Sequence, residues 1–153
     1  GYDAHQLTMD KPLVLGGIIV PHRFGLAGHS DGDVVIHAIA DALLGAATLG
    51  DIGTHFPSDD LQYKGADSLA LLAKIRQVLA DNGWQVRNVD ATIVAERPRL
   101  AQYVPQMRQT VGRSLDLEPD MVSIKATTTD GLGFTGRAEG MAAYAIVSIE
   151  PIS

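Results

Sequence analysis

The chain of 153 residues contains no cysteine. Disulfide bonds and thiolate metal sites are therefore excluded, and any metal ion must be held by histidine and carboxylate side chains. No stretch approaches the roughly 18 consecutive apolar residues of a membrane span, and no signal or transit segment is visible. These absences predict a cytoplasmic globular protein with no part in a membrane.

Positive charge is also scarce, because 12 lysines and arginines are outnumbered by 18 aspartates and glutamates and the formal net charge is −6. The sequence has no basic run, which argues against nucleic acid or an anionic membrane surface as a partner. A small anionic substrate is still compatible with this charge, since a metal ion or a helix N-terminus can reverse the field within one pocket.

The apolar content of 46% is sufficient for a hydrophobic core, and the length predicts a single domain over residues 1–153. Gly16-Gly17 separates two apolar triplets, which predicts a β-hairpin over residues 13–20. Helical apolar spacing predicts a first helix that begins at Ser30 or Asp31 and runs for about fifteen residues.

A second helix is predicted from an N-cap at Asp67 or Ser68 to a stop at Asn82-Gly83, and a third from near Pro105. Alternating apolar residues predict strands over residues 86–95, 121–127 and 142–149. Residues 50–65 and 131–140 are rich in turn formers, and the length of the first of these loops indicates a functional lid. Together these elements predict an α+β fold: a two-layer sandwich of a mixed β-sheet with helices on one face, plus a small β-hairpin.

Three candidate metal ligands come from two separate segments. Asp3 and His5 lie on the same side of an extended segment, and His37 lies inside the first predicted helix. One carboxylate and two imidazoles supply the three ligands of a catalytic zinc whose fourth position stays open. Asp33 and Asp41 share a helix face with His37, and this spacing fits equally a solvated face or a carboxylate that orients a ligand histidine.

Three further segments suit a phosphate-bearing ligand. Residues 28–32 precede the first helix, whose free N–H groups favour an anion, although the same residues also suit an ordinary N-cap turn. Residues 125–130 carry three consecutive threonines and an aspartate that can hold phosphate oxygens and a hard cation, although threonine runs are common in strands. Arg97 and Arg99 offer planar donors to a phosphate, or are ordinary surface arginines.

Short sequence blocks follow one another in a distinctive order over nearly the whole chain. They are Gly1-Tyr2-Asp3-Ala4-His5; His29-Ser30-Asp31-Gly32-Asp33 with His37 and Asp41-Ala42-Leu43-Leu44-Gly45-Ala46; Gly50-Asp51-Ile52-Gly53 with Phe56-Pro57; Lys64-Gly65-Ala66-Asp67-Ser68; Lys125-Ala126-Thr127-Thr128-Thr129; and Leu132-Gly133-Phe134-Thr135-Gly136-Arg137. Each block alone is weak. Taken together, they resemble the cyclodiphosphate synthases of the non-mevalonate isoprenoid pathway.

The resemblance implies a phosphorus–oxygen lyase that converts 4-diphosphocytidyl-2-C-methyl-D-erythritol 2-phosphate to 2-C-methyl-D-erythritol 2,4-cyclodiphosphate and CMP. In this reaction the 2-phosphate attacks the β-phosphorus and CMP leaves. Asp3, His5 and His37 are implied to bind zinc or another divalent transition metal, with a terminal phosphate oxygen of the substrate as the fourth ligand. His29 and Thr128 match positions that stabilise the transition state.

The resemblance also implies a homotrimer with active sites between subunits. Residues 95–101 and 127–130 match a nucleotide pocket supplied by the adjacent subunit, and residues 56–60 match the loop around the methylerythritol. The implied substrate contacts are Asp3, His5, His29, Ser30, Asp51, Ile52, Gly53, Phe56, Pro57, Ser58, Asp59, Asp60, Ala95, Glu96, Arg97, Pro98, Arg99, Leu100, Ala101, Thr127, Thr128, Thr129, Asp130, Phe134 and Arg137.

Two further ligands follow from the same resemblance. Asp130 matches an acid that meets a magnesium or manganese ion on the substrate diphosphate. Arg137 and Glu139 match residues that line an axial cavity, where some members of the family hold an isoprenoid diphosphate.

Three positions depart from the family pattern. Asp130 stands where glutamate is expected and is one methylene shorter, and Arg99 stands where lysine is frequent. Ser58 replaces an expected acid, which leaves Asp59 or Asp60 to bind substrate hydroxyls.

Two other functions fit parts of the pattern. A non-catalytic trimer that binds isoprenoid diphosphates around a structural zinc needs Arg137 but neither His29 nor Thr128. A zinc hydrolase that uses metal-bound water has no obvious general base near the metal ligands beyond Asp33 or Asp41.

Overall fold

A computed structural model describes the protein from Gly1 to Ser153. The chain forms seven strands and five α-helices, and three short 3-10 turns lie at residues 61–63, 101–103 and 119–121. The elements are β1 (Tyr2–Thr8), β2 (Leu13–Leu15), β3 (Ile18–Val20), β4 (Gly25–Leu26), α1 (Val34–Ala46), α2 (Ile52–His55), α3 (Ser68–Asp81), β5 (Trp84–Val94), α4 (Val104–Leu115), β6 (Val122–Thr127), α5 (Gly133–Gly136) and β7 (Gly140–Pro151).

Five strands form one mixed sheet in the order β4-β1-β7-β5-β6, and β2 and β3 form a separate hairpin. Strand β7 is antiparallel to both β1 and β5, and β6 is parallel to β5. The strands β1, β5 and β6 therefore run in the same direction, and their carboxyl ends lie at one edge of the sheet. The predicted mixed sheet and hairpin are confirmed.

The helices cover one face of the sheet, as predicted. Along β7, Ala143 and Ala145 are buried against the helical layer, whereas Tyr144 and Ile146 point the other way and are 54% and 74% exposed. On that open face the ring of Tyr144 packs against the ring of Tyr2 on β1, with their centroids 5.0 Å apart. The sheet thus has one face in the core and one bare face that carries large apolar side chains.

Helix α1 begins later than the sequence predicts. Its N-cap is Asp33, whose carboxylate accepts hydrogen bonds from the backbone N–H groups of Val35 and Ile36. The Ser30 or Asp31 start is wrong because Gly32 has a φ of +76°, in the left-handed region that a helix does not use. The Asp33 carboxylate also accepts from the N–H groups of the hairpin turn at Gly16-Gly17, so it joins the hairpin to α1.

The other element boundaries agree more closely with the predictions. Asp67 caps α3 by accepting from the N–H of Leu69, and α4 starts beside Pro105. The predicted lid over residues 50–65 contains α2 and a 3-10 turn, and the predicted turn over residues 131–140 contains α5. Strands β5 and β7 are longer than predicted because their outer ends pair with one another, Trp84 opposite Pro151. None of the helices combines the length and the apolar character that crossing a bilayer requires.

Candidate metal centre and ligand clefts

Asp3, His5 and His37 meet at one point, as predicted. Asp3 Oδ2 lies 2.8 Å from His5 Nε2 and 3.0 Å from His37 Nδ1. The two imidazole nitrogens lie 3.4 Å from each other. These are the three side chains in the structure whose ligand atoms cluster closely enough for a shared metal ion.

Strand pairing explains why Asp3 and His5 face the helix. In the sheet register, Asp3 lies opposite Ala143 and His5 opposite Met141, and both partners are buried on the helical face. Residues two apart on a strand point to the same side, so both side chains reach toward α1. Helix α1 packs on β1 and β7 and carries His37 on the face turned toward them.

The three ligand atoms fit a small divalent cation. Tetrahedral zinc with bonds of about 2.0–2.1 Å to nitrogen and oxygen sets its ligand atoms about 3.3 Å apart. The observed separations of 2.8, 3.0 and 3.4 Å are close to this spacing. A cation at their centre would satisfy all three atoms and leave a coordination position open toward the cleft.

The electrostatics of the trio keep Asp3 ionised. Partial burial raises the pKa of Asp3, but the hydrogen bonds from His37 and His5 outweigh it and bring the pKa to about 2. Burial lowers the pKa of His37, yet the hydrogen bond and charge of Asp3 raise it above the ordinary value of 6.5. A carboxylate between two imidazoles therefore attracts a cation or, in its place, a proton.

The far side of His37 contacts hydroxyl groups and no carboxylate. His37 Nε2 lies 3.0 Å from Ser30 Oγ and 3.1 Å from Ser68 Oγ. Asp33 is fully buried at the helix cap, and Asp41 accepts from the backbone N–H of Ile52 at 2.9 Å. Neither alternative for Asp33 and Asp41 is correct, because they form no solvated face and do not orient His37.

The trio lies in a cleft of about 680 Å³. His29, Ser30, Ile52, Gly53 and residues 56–59 line this cleft, so the structure brings together most of the implied contacts of the lid. Two of the implied contacts in the lid, Asp51 and Asp60, do not line it. Asp51 caps α2 through Thr54, and Asp60 accepts from Gln62.

Four residues that line the cleft are not among the implied contacts: Asp41, Tyr63, Ala66 and Leu71. Tyr63 stands edge-on against Phe56, with ring centroids 5.2 Å apart, and forms part of the cleft wall. No motif pointed to it, because only the folding of the lid brings the two rings together.

The start of α1 is not the anion site that the sequence suggested. Its first free N–H groups are taken by the buried carboxylate of Asp33, which also places negative charge where an anion would bind. Residues 28–32 instead form part of a loop whose His29 carbonyl accepts from the N–H of Gly65 at 2.8 Å. His29 and Ser30 line the cleft from this loop.

A second cleft of about 310 Å³ lies at the carboxyl ends of β5 and β6. It contains most of the implied nucleotide contacts: Ala95, Glu96, Pro98, Arg99, Leu100, Ala101, Thr127 and Thr128, together with Ala126. The Oε2 atom of Glu96 is buried and has no hydrogen-bond partner. An unpaired acceptor of this kind suits an N–H or O–H donor of a ligand.

The remaining implied contacts lie outside the two clefts. Arg97 is exposed, and the hydroxyl of Thr129 donates to the carbonyl of Leu132 at 2.6 Å. Asp130 is exposed, has a φ of +52° and accepts from Thr128 Oγ1 at 3.2 Å.

Phe134 and Arg137 are also exposed. The guanidinium of Arg137 donates to Glu139 Oε1 at 2.9 Å, and this ion pair raises the pKa of Arg137 and lowers that of Glu139.

The sequence and the fold of this chain are shared with known proteins. The YgbB family matches residues 1–150, and the chain belongs to this family. A curated relative from Syntrophomonas wolfei is 57% identical over 98% of this chain and 96% of its own length, and is named 2-C-methyl-D-erythritol 2,4-cyclodiphosphate synthase. A relative of the same name from Geobacter sulfurreducens is 53% identical over 98% of this chain and 96% of its own.

Solved structures share the fold. The bifunctional IspDF of Campylobacter jejuni has a TM-score of 0.96 at 38% identity, and this chain, matched over 100% of its length, spans 42% of that longer chain. A 2C-methyl-D-erythritol-2,4-cyclodiphosphate synthase in a CDP-bound form has a TM-score of 0.90 at 31% identity, over 98% of this chain and 97% of its own.

Proposed function

We propose that the chain converts 4-diphosphocytidyl-2-C-methyl-D-erythritol 2-phosphate to 2-C-methyl-D-erythritol 2,4-cyclodiphosphate and CMP, as a single-domain lyase of the cytoplasmic non-mevalonate isoprenoid pathway. The observation that carries the proposal is the convergence of Asp3, His5 and His37 in one cleft. The names of relatives that match almost the whole chain support it.

The donor set favours zinc at this centre. Two imidazoles and one carboxylate at near-tetrahedral spacing, with no thiolate available, suit zinc better than a hard cation such as magnesium. When bound, zinc would supply Lewis-acid polarisation of a terminal phosphate oxygen. Asp3, His5 and His37 would hold the ion and fix the orientation of that phosphate.

The protein's own contribution to the reaction is positioning and charge stabilisation. His29 is exposed on the cleft wall beside the metal ligands, where its imidazole can donate to a substrate phosphate. Phe56 and Asp59 line the part of the cleft formed by the lid, while the carboxylate of Asp60 is engaged with Gln62. Ser58 has no carboxylate, and we therefore assign the contact with substrate hydroxyls to Asp59.

The arrangement of the two clefts supports an active site that two subunits share. The metal cleft and the cleft at residues 95–101 have no lining residue in common. His29 lies in the first and Thr128 in the second, although both are assigned to the same transition state. A homotrimer in which the nucleotide cleft of one subunit faces the metal cleft of its neighbour would unite them.

The bare face of the sheet also supports a homotrimer. Tyr2, Tyr144 and Ile146 expose apolar surface side by side, which a second and a third copy of the chain would bury. In this trimer, Arg137 and Glu139 would line the axial cavity proposed to take an isoprenoid diphosphate.

The second cleft is assigned to the cytidine nucleotide. Two related structures were determined with CDP, one of them from Plasmodium falciparum at 28% identity and a TM-score of 0.86. Asp130 is exposed and offers a carboxylate oxygen beside the cleft. One carboxylate together with the substrate phosphates is a usual environment for magnesium or manganese.

A turnover assay tests the proposed reaction. The protein is incubated with the cytidine-linked substrate, zinc and magnesium, and products are followed by ³¹P NMR and by chromatography of CMP. We expect CMP and the cyclic diphosphate in equal amounts, and none from His37→Ala. Absence of CMP would favour the binding-only function, and uptake of ¹⁸O from solvent water into the product would favour a zinc hydrolase.

A further inference from the structure

We propose that Ser68, held by Asp31, fixes the tautomer of His37 and so presents the Nδ1 lone pair of this imidazole to the metal ion. The inference rests on the metal centre proposed above and adds a positioning residue to it. On the side of His37 that faces away from Asp3, hydrogen bonds connect His37 to Ser68 and Ser68 to Asp31, which lies in the segment before α1.

The geometry of these hydrogen bonds is compact and shielded from water. Ser68 is the first residue of α3 and is only 1% exposed. Its Oγ lies 3.1 Å from His37 Nε2 and donates to Asp31 Oδ1. The backbone N–H of Ser68 donates to Asp31 Oδ2 at 3.1 Å, and the N–H of Asp33 donates to Asp31 Oδ1 at 3.1 Å.

The direction of each hydrogen bond follows from the chemistry of its atoms. A carboxylate only accepts, so the single hydroxyl proton of Ser68 is committed to Asp31. The Ser68 oxygen can then offer only a lone pair to His37, and Nε2 must carry a proton. A neutral imidazole holds one N–H, so Nδ1 is left with its lone pair. This is the nitrogen that lies 3.0 Å from Asp3 Oδ2 and 3.4 Å from His5 Nε2.

Ser30 contacts the same nitrogen but cannot select the tautomer. Its Oγ lies 3.0 Å from His37 Nε2 and has no carboxylate behind it. A hydroxyl without a second fixed partner rotates to donate or to accept as its neighbour requires. Because Ser68 requires a proton on Nε2, Ser30 also accepts there, and its own hydroxyl proton is free to be donated into the cleft.

The same contacts hold the metal ligand in place across three segments. Asp31 belongs to the loop before α1, Ser68 begins α3 and His37 lies within α1. Hydrogen bonds behind a metal-bound histidine typically account for about 10- to 100-fold in metal affinity. We expect a loss of this size when the Ser68 hydroxyl is removed.

The experiment measures metal binding instead of turnover. Zinc affinity is determined by competition with a chromogenic chelator for the wild type, Ser68→Ala and the matched control Ser114→Ala. Ser114 also contacts the start of α3 through a hydroxyl hydrogen bond, to the carbonyl of Leu69 at 3.3 Å, but it does not touch His37. We expect zinc to bind about 10- to 100-fold more weakly to Ser68→Ala and with unchanged affinity to Ser114→Ala.

A second measurement uses the zinc-loaded wild type and does not depend on a variant that folds. Long-range ¹H–¹⁵N NMR spectra of histidine-labelled protein should show His37 bound through Nδ1, with a slowly exchanging proton on Nε2.

Three outcomes would overturn the inference. Coordination of wild-type His37 through Nε2 would contradict the assigned tautomer directly. Equal zinc affinity of Ser68→Ala and Ser114→Ala would show that Ser68 does not position the ligand, and the metal centre would still stand. Failure of the wild type to bind zinc would remove the metal centre and this inference together.

Discussion

Asp3 Oδ2 and His37 Nδ1 lie 3.0 Å apart although 34 positions separate the two residues in the chain. The contact joins strand β1 to helix α1 at the point where the cleft opens. With His5 it forms a cluster of three ligand atoms whose spacing suits a tetrahedral cation.

Replacement of His37 by alanine should abolish stable zinc binding. Two ligands would remain from the trio, and the loss should exceed the roughly 100-fold upper range for residues that only support a ligand. Equilibrium dialysis followed by metal analysis measures the effect. His22→Ala is a matched control, because His22 packs against Phe24 outside the cleft, with ring centroids 6.0 Å apart. Equal zinc content in the two variants would contradict the assigned centre.

Acid should begin to weaken zinc binding at a pH above 6.5, the ordinary pKa of histidine. Asp3 raises the pKa of His37 above 6.5, and zinc must displace the proton held there. Below that pKa the apparent affinity should fall about tenfold per pH unit for one displaced proton, and above it the affinity should level off. Competition titrations over a pH series measure this dependence. A decrease confined to the region near pH 2, where Asp3 takes up its proton, would argue against displacement from His37.

Two inactive variants should restore activity to each other if the active site is shared between subunits. His37→Ala damages the metal cleft and Thr128→Val the second cleft, which have no lining residue in common. Random mixing of co-expressed subunits leaves about a quarter of the shared sites with both clefts intact. We therefore expect about a quarter of wild-type turnover from the mixture and almost none from either variant alone. A mixture as inactive as its components would indicate that each site lies within one chain.

A charge on the bare face of the sheet should prevent assembly. Ile146 is 74% exposed on this face, and Ile146→Asp would bury an unpaired carboxylate in the proposed trimer. Analytical ultracentrifugation should show smaller species for this variant. Ile19 is 69% exposed on the separate hairpin, so Ile19→Asp should leave the assembly unchanged. An unaltered mass for Ile146→Asp would place the interface elsewhere.

Loss of the Asp33 carboxylate should destabilise the fold by at least about 3 kcal/mol, since an N-cap and several buried hydrogen bonds disappear together. Asp33→Ala leaves the N–H groups of Gly16, Gly17, Val35 and Ile36 without their acceptor. Burial raises the pKa of Asp33 to about 6, so urea unfolding is best measured near pH 8, where the carboxylate is ionised.

Asp67→Ala serves as the comparison for Asp33→Ala. Asp67 is an exposed cap with one hydrogen bond to the N–H of Leu69, so its loss should cost clearly less. Equal stability of the two variants would show that the buried contacts of Asp33 contribute little.

Local patterns predicted the elements well where one side chain settles the conformation. The Asp67 cap, the Gly16-Gly17 turn and the alternation along β7 are each readable within a few residues of sequence. The start of α1 was not readable in this way. Ser30, Asp31 and Asp33 all suit an N-cap, and they are distinguished by the left-handed backbone of Gly32 and by the contacts of Asp31 with Ser68 and of Asp33 with the hairpin.

The sequence by itself determined the chemistry available to this protein: with no cysteine, the metal ligands had to be histidine and carboxylate, and the ordered blocks indicated Asp3, His5 and His37. Only the tertiary structure decided which groups stand behind those ligands. Ser68 reaches His37 because α3 packs beside α1, and Asp41 turns instead to the N–H of Ile52. Whether two side chains far apart in sequence form a hydrogen bond depends on how the helices pack, to within about an ångström. Local sequence patterns carry no information about the packing of distant segments.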